Sequence, residues 1–263
     1  MTRVGAYRPG GQPPADEDDT TTGSPERGGI SRRGLLIGTA GLGLGAAGTA
    51  AGVGLVADRG PAIIGRSPSE ALMTDHGILK RILFAYREAG RRIRAGEPVP
   101  TRAVRQGTRI IHDYIEGFHE GLEEAYVFPR LQQAGRAVDT VRVLLVQHAR
   151  GRRITADILA ATAPGTELPA TGRDRLAAAM NSFVRMYEVH EAREDTVVFP
   201  ALRAIASDKA YAELGERFAA EEDRQLSVGH LAEMIERIEG IEKGLGIYDL
   251  GQFTPTAGED GAD

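Results

Sequence analysis

The chain has no cysteine, which excludes disulfides, iron–sulfur clusters and thiolate zinc sites. Any metal would have to be held by imidazole nitrogen and carboxylate oxygen. A basic excess is missing too: the formal charge is −5, and no basic stripe accumulates, so nucleic acid is not an expected partner. Strand patterns, a phosphate-binding glycine loop and a separate nucleophile are all lacking. Histidine is scarce, six in 263 residues, so the place of each one is informative. What is present is an ordinary globular share of apolar residues, 41%, enough for a sizeable core.

Residues 1–30 are rich in Gly, Pro, Thr and acids. Such a segment cannot bury enough apolar surface to offset its ordering entropy and is expected to be disordered. Residues 31–57 differ: paired Arg32 and Arg33 precede an uncharged, glycine-rich apolar stretch, Gly34 to Ala57. Ser31-Arg32-Arg33-Gly34-Leu35-Leu36 resembles a twin-arginine export signal. The resemblance implies passage through the twin-arginine export machinery and a place beyond the cytoplasmic membrane. The stretch is also long enough to span a bilayer, so residues 34–57 would be a membrane anchor if not cleaved.

From Ser67 the pattern is helical, and residues 67–205 are expected to form one domain. Ser67-Pro68-Ser69-Glu70 is a capping box with proline at the first helical position. Leu72, His76, Leu79, Leu83 and Tyr86 follow at spacings of three and four, one helical face ending near Gly96. A second helix, capped by Thr101, carries Ile111, Ile115, His119, Leu122 and Tyr126, with a break expected between Pro129 and Gly135. A third, from Val138 to Ala161, carries Val141, Leu144, Leu145, His148 and Ile158. After a loop at 163–172, a fourth carries Leu176, Met180, Phe183, Met186, Tyr187, His190, Val197 and Phe199. The fold class expected is all-α, an up-down-up-down four-helix bundle. An accessory C-terminal helix (206–248) and a loose tail (249–263) follow.

Within this pattern two blocks repeat 71 residues apart: HEGLEEAYVFP at 119–129 and HEAREDTVVFP at 190–200. His119/His190, Glu120/Glu191, Glu123/Glu194, Glu124/Asp195, Val127/Val198, Phe128/Phe199 and Pro129/Pro200 correspond. Each of the four helices thus has one histidine in its apolar stripe: His76, His119, His148 and His190. One such histidine is ordinarily a hydrogen-bonded core residue. Four buried together would need four sets of partners or leave polar groups unsatisfied, whereas a metal satisfies them jointly. Glu123 and Glu194 lie four residues after His119 and His190, about 40° round the helix and one turn on, so each pair shares a face. Glu124 and Asp195 fall about 140° away and are expected at the surface, in ion pairs or behind the ligands. Phe-Pro would supply an aromatic plug and a helix end or kink. His112 is expected in the core or behind the ligands, His230 at the surface.

The candidate metal ligands are therefore His76, His119, Glu123, His148, His190 and Glu194. Four imidazoles and two carboxylates suit two iron ions, with manganese or zinc as substitutes. At these residues the chain resembles the hemerythrin-like, or HHE cation-binding, family over roughly Ala71 to Phe199. The resemblance rests on the Asp75-His76 opening with Leu79, the two repeated blocks, and His148 between them. It implies a non-haem di-iron site in a four-helix bundle, held by the same six residues. One departure stands out. Oxygen-carrying members have a second histidine four residues after the one on the third helix, and here that position is Arg152, expected at the rim. This argues against reversible oxygen carriage and favours the family's iron-sensing and cytoplasmic bacterial branches.

Three functions follow. The first is an exported di-iron protein that binds or senses oxygen, nitric oxide or iron, without catalysis. The second is a di-iron oxidoreductase acting on peroxide or a small substrate. The third is a metal-free helical interaction protein whose histidines are polar core.

Overall fold

A computed structural model describes residues 66–255, so the expected disordered region, the twin-arginine-like segment and the end of the tail lie outside the described residues. Helix α1 is Pro68–Arg94. Its capping box forms: Ser67 N–H donates to Glu70 Oε2 (2.8 Å), and Glu70 N–H to Ser67 Oγ (3.4 Å). Three arginines in its last turn face the negative end of the helix dipole, and Gly96 at φ +71° ends it in the left-handed conformation that glycine adopts freely.

Helix α2 runs continuously over residues 101–133. Thr101 is its first residue rather than its cap; Pro100 holds the cap position without a side-chain hydrogen bond. Helix α3 is Val138–Ala161 and α4 covers residues 170–205. Short connections join the four, and α1 packs on α2 and α4, α3 on α2 and α4, closing an up-down-up-down bundle. The accessory segment forms two helices, α5 (Asp208–Gln225) and α6 (His230–Leu245), parted at Gly229, whose φ is +85°. Helix α6 packs against α1 and α2, and α5 against α1; Arg81 of α1 is tied to Glu242 of α6 by two hydrogen bonds. Among the described residues there is no strand, and no helix is long and apolar enough to cross a membrane.

The break expected between Pro129 and Gly135 falls after Gln133, not at the proline itself. The helix passes through it to Gln133, and through Pro200 to Ile205. Proline inside an α-helix loses a hydrogen bond and drives its ring into the carbonyl four residues back. Here each Phe-Pro follows a π-helical segment, Glu123–Val127 and Glu194–Val198. The amides of Phe128 and Phe199 donate to the carbonyls of Glu123 and Glu194, five residues back. The wider turn makes room for the proline ring.

That extra residue per turn also shifts the buried face. Tyr126 and Val197, expected inward, are only partly covered, while Val127 and Val198 are fully buried. A further π segment, Ile111–His119, turns His112 off the face of His119. Its side chain is 57% exposed beside Asp113, which corrects the expectation of a core or supporting role.

Candidate metal centre

The bundle brings all six candidate ligands together. His76, His119, Glu123, His148, His190 and Glu194 are each at most 5% exposed. Every imidazole turns Nε2 toward the two carboxylates. Glu194 Oε2 lies 3.3 Å from His76 Nε2 and 3.2 Å from His190 Nε2. Glu123 Oε2 lies 3.7 Å from His119 Nε2 and 3.5 Å from His148 Nε2. The Nε2 atoms of His148 and His190 are 3.2 Å apart. These groups fall into two overlapping sets of metal-ligating geometry: His76, His119, Glu123 and Glu194, and His148, His190, Glu123 and Glu194. Both glutamates belong to both sets, so the two sets share their carboxylates.

The residues fit metal by a direct observation. All four carboxylate oxygens of Glu123 and Glu194 are buried without a hydrogen-bond partner. Orphaned buried acceptors are rare and costly, and two carboxylates side by side are more so. Burial and the neighbouring Glu194 push Glu123 well above the ordinary carboxylate range. Burial would raise Glu194 too, but His190 and His76 hold it below that range. Burial lowers His76, yet Asp195 and Glu194 outweigh it and bring its pKa to about 9. His119 and His148, buried, are lowered and stay neutral.

Each imidazole is oriented through Nδ1 by a residue of another helix. Asp195 Oδ1 is 2.8 Å from His76, Asp75 Oδ2 3.1 Å from His119, Glu124 Oε1 2.9 Å from His148, and Gln147 Oε1 3.0 Å from His190. With Nδ1–H donating outward, Nε2 is left as the inward lone pair, the form that ligates metal. Glu124 and Asp195 are therefore partners behind the ligands. Phe199 stacks on His76, with ring centroids 5.5 Å apart, and Phe128 lies 5.6 Å from His148. The Phe-Pro ending thus supplies an aromatic wall on each side.

Several contributors were not legible from spacing. Asp75 marked the family opening but had no assigned role; it also accepts from the Tyr114 hydroxyl at 2.6 Å. Gln147 gave no signal. Glu120 and Glu191 recur in the repeat but lacked a reading. Glu191, buried on α4, pairs with Lys80 of α1. Glu120 accepts from Arg152 (2.7 Å) and from the Tyr187 hydroxyl (2.7 Å). Arg152 also donates to Glu124 at 2.6 Å and is 40% exposed, at the rim. Tyr86 and Tyr126 bond elsewhere, to Thr108 and Glu221. His230 packs against Tyr114, with rings 5.9 Å apart, and is more buried than expected.

The Tyr187 hydroxyl has its niche because residue 151 is glycine. A Cβ there would sit 2.1 Å from that oxygen and 2.9 Å from two ring carbons. Gly151→Ala is expected to destabilise the protein by about 1–3 kcal/mol through overpacking, with a smaller cost in a Tyr187→Phe background. Chemical denaturation of the two variants and the double variant checks this.

A buried His/Glu cluster on facing helices of a four-helix bundle is the kind of arrangement in which such folds hold metal. The Hemerythrin HHE cation binding domain family matches residues 67–176, a span that includes His76, His119, Glu123 and His148. His190 and Glu194 lie beyond it, supplied by the second repeat. The uncharacterized proteins Rv1995 of Mycobacterium tuberculosis and Mb2018 of Mycobacterium bovis are each 47% identical over 187 residues, covering 71% of this chain and 73% of theirs. No solved structure matches. Residues 67–176 thus carry a hemerythrin HHE cation-binding domain, and the buried His/Glu clusters are compatible with metal binding.

Proposed function

We propose that this is an exported di-iron protein that binds or senses a small ligand, oxygen or nitric oxide, or iron itself. The observation that carries the reading is the pair of glutamates with four orphaned oxygens, shared between two histidine pairs. His76 and His119 would hold one ion, His148 and His190 the other, with Glu123 and Glu194 common to both. The mixed imidazole and carboxylate set suits iron, with manganese or zinc as substitutes. Bound iron would supply an exchangeable coordination position and redox capacity.

The protein's own part is enclosure and orientation. Phe128 and Phe199 wall the centre, the Nδ1 partners fix the imidazoles, and the near-complete burial of the ligands favours small molecules. The surface hollow beside Tyr114 and that beside Leu176 are lined by none of the six, which supports binding or sensing over turnover of a larger substrate. The enzymatic alternative, acting on peroxide or a small substrate, uses the same centre. Anaerobic addition of nitric oxide, then oxygen, to the reduced protein tests the reading. Distinct visible spectra for each are expected. A spectrum indifferent to both ligands and to reductant contradicts it, while steady peroxide turnover lost in His119→Ala favours the enzyme.

Export rests on Ser31–Leu36 and the apolar stretch after them. The twin-arginine machinery, which accepts folded cargo, would carry a centre already loaded; residues 34–57 would be the only membrane contact if retained. Fractionation of wild type and an Arg32→Lys, Arg33→Lys variant tests this, with cytoplasmic retention of the variant expected and unchanged distribution opposing it.

Metal loading should displace protons. At neutral pH the metal-free protein holds one on His76, whose pKa is about 9. It must leave before ligation. Proton release on loading is expected in weak buffer, with affinity rising from neutral pH to about 9. The folded-state pKa of His76 exceeds the ordinary 6.5, so its stabilisation of the metal-free protein is complete below 6.5 and lost as pH rises through about 9. The thermal stabilisation gained on loading should therefore grow across that window, as melting curves at several pH values will show.

A further inference from the structure

We infer that the two metal positions are unequal, the His76/His119 half being tight and the His148/His190 half weak and exchangeable. The inference rests on the metal-binding reading above and concerns what lies behind the imidazoles. Around the pseudo-twofold axis, Asp195 corresponds to Glu124, Asp75 to Gln147, Lys80 to Arg152, and Glu191 to Glu120. The correspondence is broken in two places, and both weaken the same half.

The first break is Gln147. His76 and His119 each have an anionic carboxylate at Nδ1, from Asp195 and Asp75. His190 has only the amide oxygen of Gln147, at 3.0 Å. A carboxylate draws the Nδ1 proton outward, enriches Nε2 as a donor and adds a negative charge one ring away from a bound cation. The neutral amide orients the ring but adds no charge.

The second break is Arg152. It donates to Glu124 Oε1, the same oxygen that faces His148 Nδ1, and to Glu120 Oε2, which lies 3.8 Å from that nitrogen, so both carboxylates in this half are shared with one guanidinium. Lys80, its counterpart, pairs with Glu191, and among the described residues no arginine or lysine forms an ion pair with Asp75 or Asp195. Glu123 and Glu194 are common to both halves and cannot create the difference. One half therefore has two unneutralised carboxylates behind its imidazoles. The other has Glu124 and Glu120, both shared with Arg152, and an amide.

Changes to such outer partners shift metal affinity about 10–100-fold, which sets the expected separation. At limiting iron the protein would hold one ion, at His76/His119. The second position would fill only as iron rises and empty first to a chelator. A bundle tuned in this way can report iron availability through the occupancy of its second position.

The test is an anaerobic titration of the stripped full-length protein with ferrous iron, read by calorimetry and by competition with a chelator. Two steps separated about 10–100-fold are expected. Gln147→Glu should tighten the weaker step about tenfold and leave the tighter one in place. Asp75→Asn should weaken the tighter step, and it provides an independent reading should Gln147→Glu fail to fold, as circular dichroism would reveal. Two equivalent sites in the wild type, or a Gln147→Glu variant that shifts the tighter step, overturn the inequality while leaving the metal-binding reading intact. Failure to bind any iron overturns both.

Discussion

Stripping the metal from the purified protein should lower its melting temperature by roughly 10 °C or more. A ligand that binds only the native state stabilises it by about 4 kcal/mol when present at a thousand times its dissociation constant. For a domain of this size each kcal/mol is worth about 2–4 °C. The stripped protein keeps its apolar core, including Leu72, Leu83, Met180 and Phe183, so it should stay folded. What it loses is the counter-charge for Glu123 and Glu194, both 0% exposed and without hydrogen-bond partners. Differential scanning calorimetry with and without a chelator, followed by readdition of ferrous iron, provides the measurement. Identical curves would mean that the cluster is a packing device, and the metal-free reading would take over.

Glu123→Gln should move two quantities in opposite directions. In the metal-free protein the Glu123 carboxyl is driven up by burial and by the carboxylate of Glu194. An amide of the same shape removes that conflict and can donate to Glu194. Relief of unsatisfied buried polar groups is worth about 1–3 kcal/mol, so the metal-free variant should be more stable than the metal-free wild type. Iron content should fall, because an amide supplies no charge and ligates weakly where a shared carboxylate is needed. A residue serving packing alone would not show this split. Higher metal-free stability with lost iron supports the account; reduced stability with iron retained contradicts it.

The four faces of the bundle were legible because burial follows a period near 3.6. Leu72, Leu79, Leu83 and Tyr86 of α1 are all at most 1% exposed, as their spacing predicts. The repeated blocks likewise pointed to the six clustered residues, since a pseudo-twofold arrangement requires the motif twice. Hidden from that period were the π segments, whose extra residue shifts Val127 and Val198 inward, moves His112 out, and lets the helices pass Pro129 and Pro200. A proline set inside an otherwise continuing helical pattern, as at Pro129 and Pro200, is the signal that could have warned of them. Asp75 and Gln147 were hidden for another reason. Each precedes a histidine on its own helix but bonds to a histidine on another, and spacing along one helix says nothing about reach across two. The parting of α5 from α6 had a local mark, Gly229, which closes the turn of residues 226–229 at a positive φ.

The account turns on whether the buried cluster holds two iron ions. Elemental analysis of the full-length protein, purified without added metal, with its visible spectrum in air and after reduction, asks this directly. The account predicts about two iron atoms per chain and a visible absorption that bleaches on reduction. No bound metal, and none taken up anaerobically from a ferrous salt, would contradict it.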